Sequence, residues 1–186
     1  MTNENFRQLV HIGLFSLVFS PFIFNRIQMA GILAVLFLLA SLLVPRSKFR
    51  IWFFRSSEKK YSAGASIYFL VLIFLVLFFP LPAVIAGWSA LSLGDGFATI
   101  IGLKYGQKKL PWNNKRSYAG SMAFMVSTFF GIVLTMSFLI PGLNFSYILA
   151  MALFSGLVGA LIESLPLKID DNLSVPLVVA VLVSLI

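Results

Sequence analysis

Apolar runs of about twenty residues recur along this chain and are separated by short polar breaks. An α-helix of about 20 apolar residues spans the hydrocarbon core of a bilayer, which is about 30 Å thick. The runs therefore predict a series of transmembrane helices. We place seven of them, at about 6-24, 27-45, 64-81, 83-102, 118-140, 143-164 and 173-186.

The composition requires lipid as the solvent for most of the chain. Of its 186 residues, 60% are hydrophobic and 11% are charged, whereas soluble domains have about 45–50% and about 25%. A compact core of this length cannot bury so much apolar surface. No repeat or low-complexity linker divides the chain, so we predict one all-α integral membrane domain over 1-186, a bundle of about seven helices.

Three of the seven runs are less regular than the others. The first contains Arg7 and His11, the fourth contains Asp95, and the last has only about fourteen residues, or about 21 Å of helix. The first run has no net positive segment before it and no clear small-residue cleavage site after it. We therefore expect it to be a helix of the mature protein and not a signal peptide.

The basic residues fall on one side of the predicted membrane. A cytoplasmic N-terminus places every Lys and Arg except Arg26 on the cytoplasmic side, at Arg7 and in loops 46-60, 103-117 and 165-172. The six acidic residues lie toward the same face. Orientation in the membrane thus explains the excess positive charge, and binding to nucleic acid is not needed to explain it. The absence of Cys excludes disulfides and thiolate metal sites.

Asp95 is an acidic residue inside an apolar run, between Gly94 and Gly96. Such residues are rare in membranes and usually functional, and glycine on both sides permits close backbone approach. The alternative is a structural pair with a nearby Lys or Arg. Asp95 is the leading candidate for catalysis.

Loop 103-117 combines cations, amides and a hydroxyl, as a binding site for polyphosphate would. The alternative is ordinary retention on the cytoplasmic side with contact to anionic lipids. The small residues that follow Ser117 favour phosphate, because a helix beginning there presents backbone N–H groups to an anion. The cations are Lys104, Lys108, Lys109, Lys115 and Arg116.

Oxygen donors cluster between the sixth and seventh runs, at Glu163, Asp170, Asp171 and Asn172. Carboxylate and amide oxygens suit Mg²⁺ that is held jointly with substrate phosphates. A helix cap from Asp171 or Asn172 is the structural alternative, and both roles are compatible.

Two further polar features lie nearer the N-terminus. Arg7 and His11 are four residues apart and share one face of a helix, where they either join the charged cluster or pack in the core. Loop 46-60 interleaves aromatic and basic residues. A short helix in the lipid headgroup region suits that pattern better than stacking on RNA bases.

Four motifs, in order, resemble those of the integral-membrane CTP-dependent lipid-alcohol kinases, the family of dolichol, polyprenol, phytol and yeast-type diacylglycerol kinases. The resemblance covers nearly the whole chain. Gln8 stands where the family usually has Lys, and Ala119 where it has Glu. The motifs are Arg7-Gln8-Leu9-Val10-His11, Gly94-Asp95-Gly96-Phe97-Ala98 with Gly102, Lys115-Arg116-Ser117-Tyr118-Ala119-Gly120-Ser121, and Glu163 to Pro166 with Asp170 to Pro176.

The resemblance implies transfer of the γ-phosphate of CTP to the hydroxyl of a lipid alcohol (polyprenol, dolichol, phytol or diacylglycerol), with Mg²⁺. It implies catalytic roles for Asp95 and Glu163, with Asp95 as metal ligand or as base and Glu163 as orienting group or alternative base. The metal ligands implied are Asp95, Asp170, Asp171 and Asn172. The nucleotide contacts implied are Lys115, Arg116, Ser117, Gly120, Ser121, Gly94, Gly102, Arg7 and His11.

Two other functions stay open at this point. A CDP-lipid synthase-like cytidylyltransferase would also bring CTP and lipid together, although the acid-rich C-terminal signature of that family is not matched. A small ion-coupled lipid transporter would use Asp95 as an ion site. Against the transporter, the ionisable groups gather at one membrane face and not at the midplane.

Overall fold

The computed structural model describes residues 3–48, 50–54 and 62–186 of the chain, with the side chain of residue 3 left undescribed. Within them the fold is helical apart from one short hairpin. The helices are α1 (Asn3–Leu14), α2 (Arg26–Leu38), α3 (Arg50–Phe53), α4 (Ala63–Phe78), α5 (Leu81–Ser89), α6 (Asp95–Tyr105), α7 (Tyr118–Leu139), α8 (Phe145–Ser164) and α9 (Asp171–Ser184), and the strands are β1 (Lys109–Leu110) and β2 (Asn113–Ser117).

Four continuous helical stretches of the described chain are long and apolar enough to cross a membrane. They are Arg26–Arg46, Leu81–Tyr105, Tyr118–Leu139 and Phe145–Ser164. The predicted all-α membrane class agrees with this fold, but the count of seven spans is not confirmed. Helices α4 and α9 have only 16 and 14 residues.

The first predicted segment differs most from expectation. It is α-helical only to Leu14 and continues as a tighter 3₁₀ helix over Phe15–Phe22, which contains Pro21. A proline has no N–H to donate and does not fit the interior of a regular helix. Helix α4 likewise ends before Pro80, since the preceding Phe79 is extended at ψ 154°.

Helix α5 lies at the centre of the bundle. Its residues from Ala83 to Ser89 are all buried, with Trp88 among the largest side chains of the core. It packs against α4, α7 and α9. In the apolar stretch of its span Leu81–Tyr105, 67% of the residues are buried, against 17% for the span Arg26–Arg46. The span Arg26–Arg46 is therefore peripheral, and the span Leu81–Tyr105 is central.

Two of the spans contain one π-helical turn each, Leu39–Leu43 after α2 and Ala90–Gly94 between α5 and α6. A π-helical turn inserts an extra residue and changes which side chains share a face. In the second turn the Leu93 carbonyl oxygen lies 3.0 Å from Ser127 Oγ of α7, which also lies 2.7 Å from the Ala123 carbonyl oxygen of its own helix. This turn therefore contacts the neighbouring helix directly before Asp95.

The predicted loops contain more structure than the sequence indicated. Loop 103-117 holds the end of α6 and an antiparallel hairpin in which Leu110 pairs with Asn113. One helical turn, α3, forms where a short interfacial helix was predicted. Residues 55-60 of that loop lie outside the described residues. Loop 165-172 leads into α9, which begins at Asp171.

Candidate active site

A cavity of about 1120 Å³ opens among α1, α2, α4, α6, strand β2 and the segment between α8 and α9. Small-molecule sites typically enclose about 300–1,000 Å³, so this space suits more than one substrate. Eight of the residues selected from the sequence line one part of it, here called the polar end. They are Arg7, His11, Asp95, Lys115, Arg116, Asp170, Asp171 and Asn172.

Asp95 reaches the cavity because both neighbouring glycines pack against other helices. A Cβ on Gly94 would lie 2.5 Å from Thr128 Oγ1 of α7, and one on Gly96 would lie 2.6 Å from Ile12 Cγ1 of α1. Larger residues would push these helices apart. Asp95 thus lies at the contact of α1, α6 and α7, half-buried.

Arg116 is the electrostatic centre of the polar end. Its Nη1 lies 2.8 Å from Glu163 Oε1, and its Nη2 donates to Asp171 Oδ2. Burial lowers the pKa of the guanidinium, but the charges of Glu163, Asp171 and Asp95 raise that pKa by more, so Arg116 stays cationic. It joins β2 to the end of α8 and the start of α9.

Glu163 lies behind Arg116 and does not line the cavity. Its side chain is only 2% exposed, and Oε2 has no hydrogen-bond partner among the described residues. A buried carboxylate is tolerated when it is paired with a cation. This position suits a residue that orients Arg116 better than one that contacts substrate.

Lys115 is positioned by residues that the sequence analysis missed. Its backbone N–H donates to Asn113 Oδ1 at 3.1 Å, and Asn113 Nδ2 donates to the Ser164 carbonyl oxygen at 3.0 Å. Trp112 Nε1 adds a hydrogen bond to Ser164 Oγ, at 3.3 Å. The hairpin is thereby fixed to the end of α8. No local sequence pattern in 103-117 predicts these contacts.

The start of α9 is capped by Asp170, and not by Asp171 or Asn172 as the sequence suggested. Asp170 Oδ1 accepts a hydrogen bond from the backbone N–H of Asn172, at 2.9 Å. That leaves Asp171 to pair with Arg116. Asn172 Nδ2 points toward the Gly64 carbonyl oxygen of α4 at 3.4 Å, so α4 and α9 meet at the site.

The remaining donors of the polar end come from α1 and α4. Arg7 Nη1 pairs with Glu4 at 3.0 Å. The ring of His11 packs edge-on against Tyr68, with centroids 4.2 Å apart, and its Nε2 has no hydrogen-bond partner in the described part of the chain. Tyr68, which the sequence analysis also missed, donates to or accepts from Ser92 Oγ at 2.7 Å.

Other residues predicted to bind nucleotide lie outside the cavity. Gly102 and Gly120 allow α6 and α7 to cross closely, since a Cβ on Gly120 would lie 3.1 Å from the Ala98 carbonyl oxygen. Ser117 caps α7 by accepting from the Gly120 N–H at 3.2 Å. A nucleotide role for these residues, for Gly94 and for Ser121 stays a prediction.

The oxygen donors at the start of α9 suit a cation that shares its ligands with substrate. Among the described residues, no three His, Asp or Glu side chains come close enough to hold a metal ion by themselves. Mg²⁺ commonly takes one or two protein carboxylates and completes its shell with phosphate oxygens and water. Asp170, Asp171 and Asn172 fit that pattern.

The cavity continues into a second part, here called the apolar arm, that the sequence analysis did not foresee. It lies between the inner end of α1, the end of α2 and the start of α4. The outer face of α2 and of the π-helical turn that follows it is exposed, with Leu38 at 50% and Leu43 at 58%. The arm is lined by Leu14, Leu36, Leu39, Ala40, Val44 and Phe69.

The fold and the site together define a helical membrane protein in which charged and apolar surfaces meet in one cavity. Over 125 residues the chain is 38% identical to a protein named probable phytol kinase 2, chloroplastic, from Glycine max, covering 61% of this chain and 42% of that protein. It is 34% identical over 122 residues to phytol kinase 1, chloroplastic, from Arabidopsis thaliana, covering 61% and 40%.

A third relative is farnesol kinase, chloroplastic, from Arabidopsis thaliana, 36% identical over 104 residues that cover 52% of this chain and 33% of that protein. The chain thus spans well under half the length of these curated relatives. No family model matches, and no solved structure matches. The relatives confirm the resemblance to lipid-alcohol kinases that the motifs indicated.

Proposed function

We propose that this chain transfers the γ-phosphate of CTP to the hydroxyl of a membrane lipid alcohol at the cytoplasmic face. One observation carries the proposal: a single cavity joins a polar end, rich in cations and carboxylates, to an apolar arm beside the outer face of α2. A nucleotide needs the first environment and a hydrocarbon chain needs the second. The relatives named phytol kinase and farnesol kinase support this reaction class.

Lys115 and Arg116 are the cations that bind the triphosphate, together with Arg7, which lines the same cavity from α1. Phosphoryl transfer requires little covalent chemistry from a protein, because neutralised phosphate charge and in-line positioning supply most of the acceleration. Glu163 and Asp171 hold the guanidinium of Arg116 in place. The choice of CTP over ATP rests on the motif resemblance.

Asp95 is the base for the alcohol, because it lines the cavity and Glu163 does not. The alcohol oxygen forms a bond to the γ-phosphorus, and the bond from that phosphorus to the β–γ bridging oxygen breaks. CDP leaves with the electron pair, and the hydroxyl proton passes to the Asp95 carboxylate. Mg²⁺ held by Asp170, Asp171 and Asn172 would neutralise charge on the β- and γ-phosphates.

The test is an assay of purified protein with Mg²⁺, labelled CTP or ATP, and a panel of farnesol, phytol, polyprenol, dolichol and diacylglycerol. We expect phosphorylated phytol or farnesol from CTP, and none from an Asp95→Asn variant. A phosphorylated product from no alcohol with either nucleotide would refute the kinase proposal. Release of pyrophosphate with a cytidylylated lipid would indicate the cytidylyltransferase instead.

A further inference from the structure

The cavity-facing residues of α1 are mostly polar as far as His11. Glu4, Arg7, Gln8 and His11 line the cavity together with Val10, and the next lining residue is the apolar Leu14. His11 and Leu14 are three residues apart, or about 4.5 Å along the helix axis. The boundary between the polar end and the apolar arm therefore lies at His11.

His11 offers a buried polar atom at that boundary. Its Nε2 is buried and has no hydrogen-bond partner among the residues described. The neighbouring Tyr68 hydroxyl is already satisfied by Ser92, at 2.7 Å. Because a buried polar atom without a partner is unfavourable, this nitrogen is available for a hydroxyl group that enters the cavity.

The opposite wall of the arm comes from α2 and its π-helical turn. Leu36, Leu39 and Ala40 face the cavity, and Ala40 is the smallest of the residues that line the arm. In the same turn Leu42 is 48% exposed, so this turn has one side toward the cavity and another toward the surroundings.

A hydrogen bond joins the π-helical turn after α2 to α4 beside the arm. Ser41 Oγ and Ser66 Oγ lie 3.2 Å apart, and their neighbours in sequence, Ala40 and Ala65, both line the cavity. Because this bond holds the two elements together, we expect the arm to take one hydrocarbon chain and not two side by side.

We propose that His11 binds the hydroxyl of a single-chain isoprenoid alcohol whose chain lies in the apolar arm, and that Ala40 determines which chains fit. This proposal rests on the kinase function proposed above and deepens it. It assigns His11 to binding of the alcohol, whereas the motif resemblance implied a contact with the nucleotide. It also favours farnesol and phytol over diacylglycerol as substrates, since diacylglycerol carries two chains.

The chain-selectivity test compares Ala40→Phe with Val35→Phe, which adds the same ring to a residue of α2 that is 55% exposed and does not line the cavity. Ala40→Phe should raise the apparent KM for phytol about tenfold or more and leave the KM for nucleotide within about twofold. Val35→Phe should change neither. Equal alcohol KM values in both variants would overturn the role of Ala40, and Ala40→Leu gives a smaller block should Ala40→Phe fail to fold.

His11 is tested by replacement with Phe, which keeps a ring against Tyr68 and removes the nitrogens, and with Gln, which keeps hydrogen bonding. We expect His11→Phe to raise the KM for alcohol about tenfold without changing the KM for nucleotide, and His11→Gln to restore part of the loss. A raised KM for nucleotide with an unchanged KM for alcohol would overturn this role and show that His11 acts in binding the triphosphate.

A binding measurement separates this proposal from the kinase function. A farnesol analogue with a photoreactive group on its chain is crosslinked to the protein without nucleotide, and the labelled peptides are identified by mass spectrometry. Labelling of the segment around Leu36 and Ala40, lost in Ala40→Phe, supports the arm even if no phosphorylated product forms. Labelling elsewhere overturns the proposal even if the protein is a kinase.

Discussion

The two parts of the cavity are built by opposite means. At the polar end, Arg116 links β2 to α8 and α9 through two carboxylates, and Asn113 fixes the same hairpin to Ser164. Within the described part of the chain, the apolar arm has side-chain packing and one serine-to-serine hydrogen bond, Ser41 to Ser66. Directional ion pairs and hydrogen bonds hold the polar end together, whereas non-directional packing of side chains forms the apolar arm.

The difference follows from the physical cost of burying charge. A buried charge is tolerated only with a partner in good geometry, so each element of the polar end is held by the others. Apolar packing is non-directional and tolerates exchange of side chains of similar size. Substitutions at the polar end should therefore impair turnover or stability, whereas those in the arm should change which alcohol is used.

Asp95→Asn should have the largest effect. The amide keeps the size of the side chain but cannot accept the alcohol proton, so kcat should fall by about 100- to 10,000-fold. Asn144→Asp is the control, because it exchanges the same two side chains in the opposite direction. Asn144 caps the start of α8, at the end opposite Ser164, so this substitution should leave kcat unchanged. Near wild-type turnover of Asp95→Asn, in protein that elutes normally in detergent, would remove Asp95 from the chemistry.

Arg116→Ala should have the next largest effect. It leaves the Glu163 carboxylate, 2% exposed, without its cation, which typically costs about 3–5 kcal/mol of unfolding free energy. Arg46→Ala is the control, because Arg46 is exposed and, among the described residues, its side chain donates to the Leu42 carbonyl oxygen alone. Chemical unfolding in detergent gives both values. Adding Glu163→Gln to Arg116→Ala should recover part of the loss, and no recovery would argue against the pair as its cause.

Lys115→Ala should act on nucleotide binding alone. Loss of one phosphate contact should raise the KM for nucleotide about tenfold and leave the KM for alcohol unchanged. Lys109→Ala removes the same charge from the other strand of the hairpin, outside the cavity. Equal effects of the two substitutions would assign the hairpin to general attraction of anions and not to a defined phosphate site.

Ser41→Ala should have the smallest effect. It removes one neutral hydrogen bond between α4 and the π-helical turn after α2, worth about 0.5–1.5 kcal/mol of unfolding free energy. Turnover of farnesol should be retained, while turnover of the bulkier diacylglycerol should rise if this bond limits the width of the arm. A loss of stability as large as that of Arg116→Ala would contradict the contrast between the two parts of the cavity.

Helix positions were the most predictable part of the fold. The expected runs 118-140 and 143-164 match Tyr118–Leu139 and Phe145–Ser164 closely, because Ser117 and Asn144 cap the apolar stretches. The hairpin was not predictable. Its short strands carry no alternating pattern, and its hydrogen bonds go to Ser164, about 50 residues away in sequence.

The candidate site was predictable as a set of residues but not as an arrangement. Asp95, Lys115, Arg116 and Asp171 stand out in the sequence because charges near apolar runs are rare. Their pairing depends on how β2 reaches the ends of α8 and α9. That Glu163 lies behind Arg116 is a consequence of this packing.

The sequence by itself determined that most of this protein is surrounded by lipid and which segments are helical. It also determined that the charged residues gather toward one end of the helices. Those properties are local, since apolar content and spacing along the chain decide them. Only the tertiary structure decided which cations line the cavity, that His11 packs on Tyr68, and that an apolar arm continues from the polar end. A cavity is the space that packed helices leave between them, and its shape depends on contacts between residues far apart in sequence.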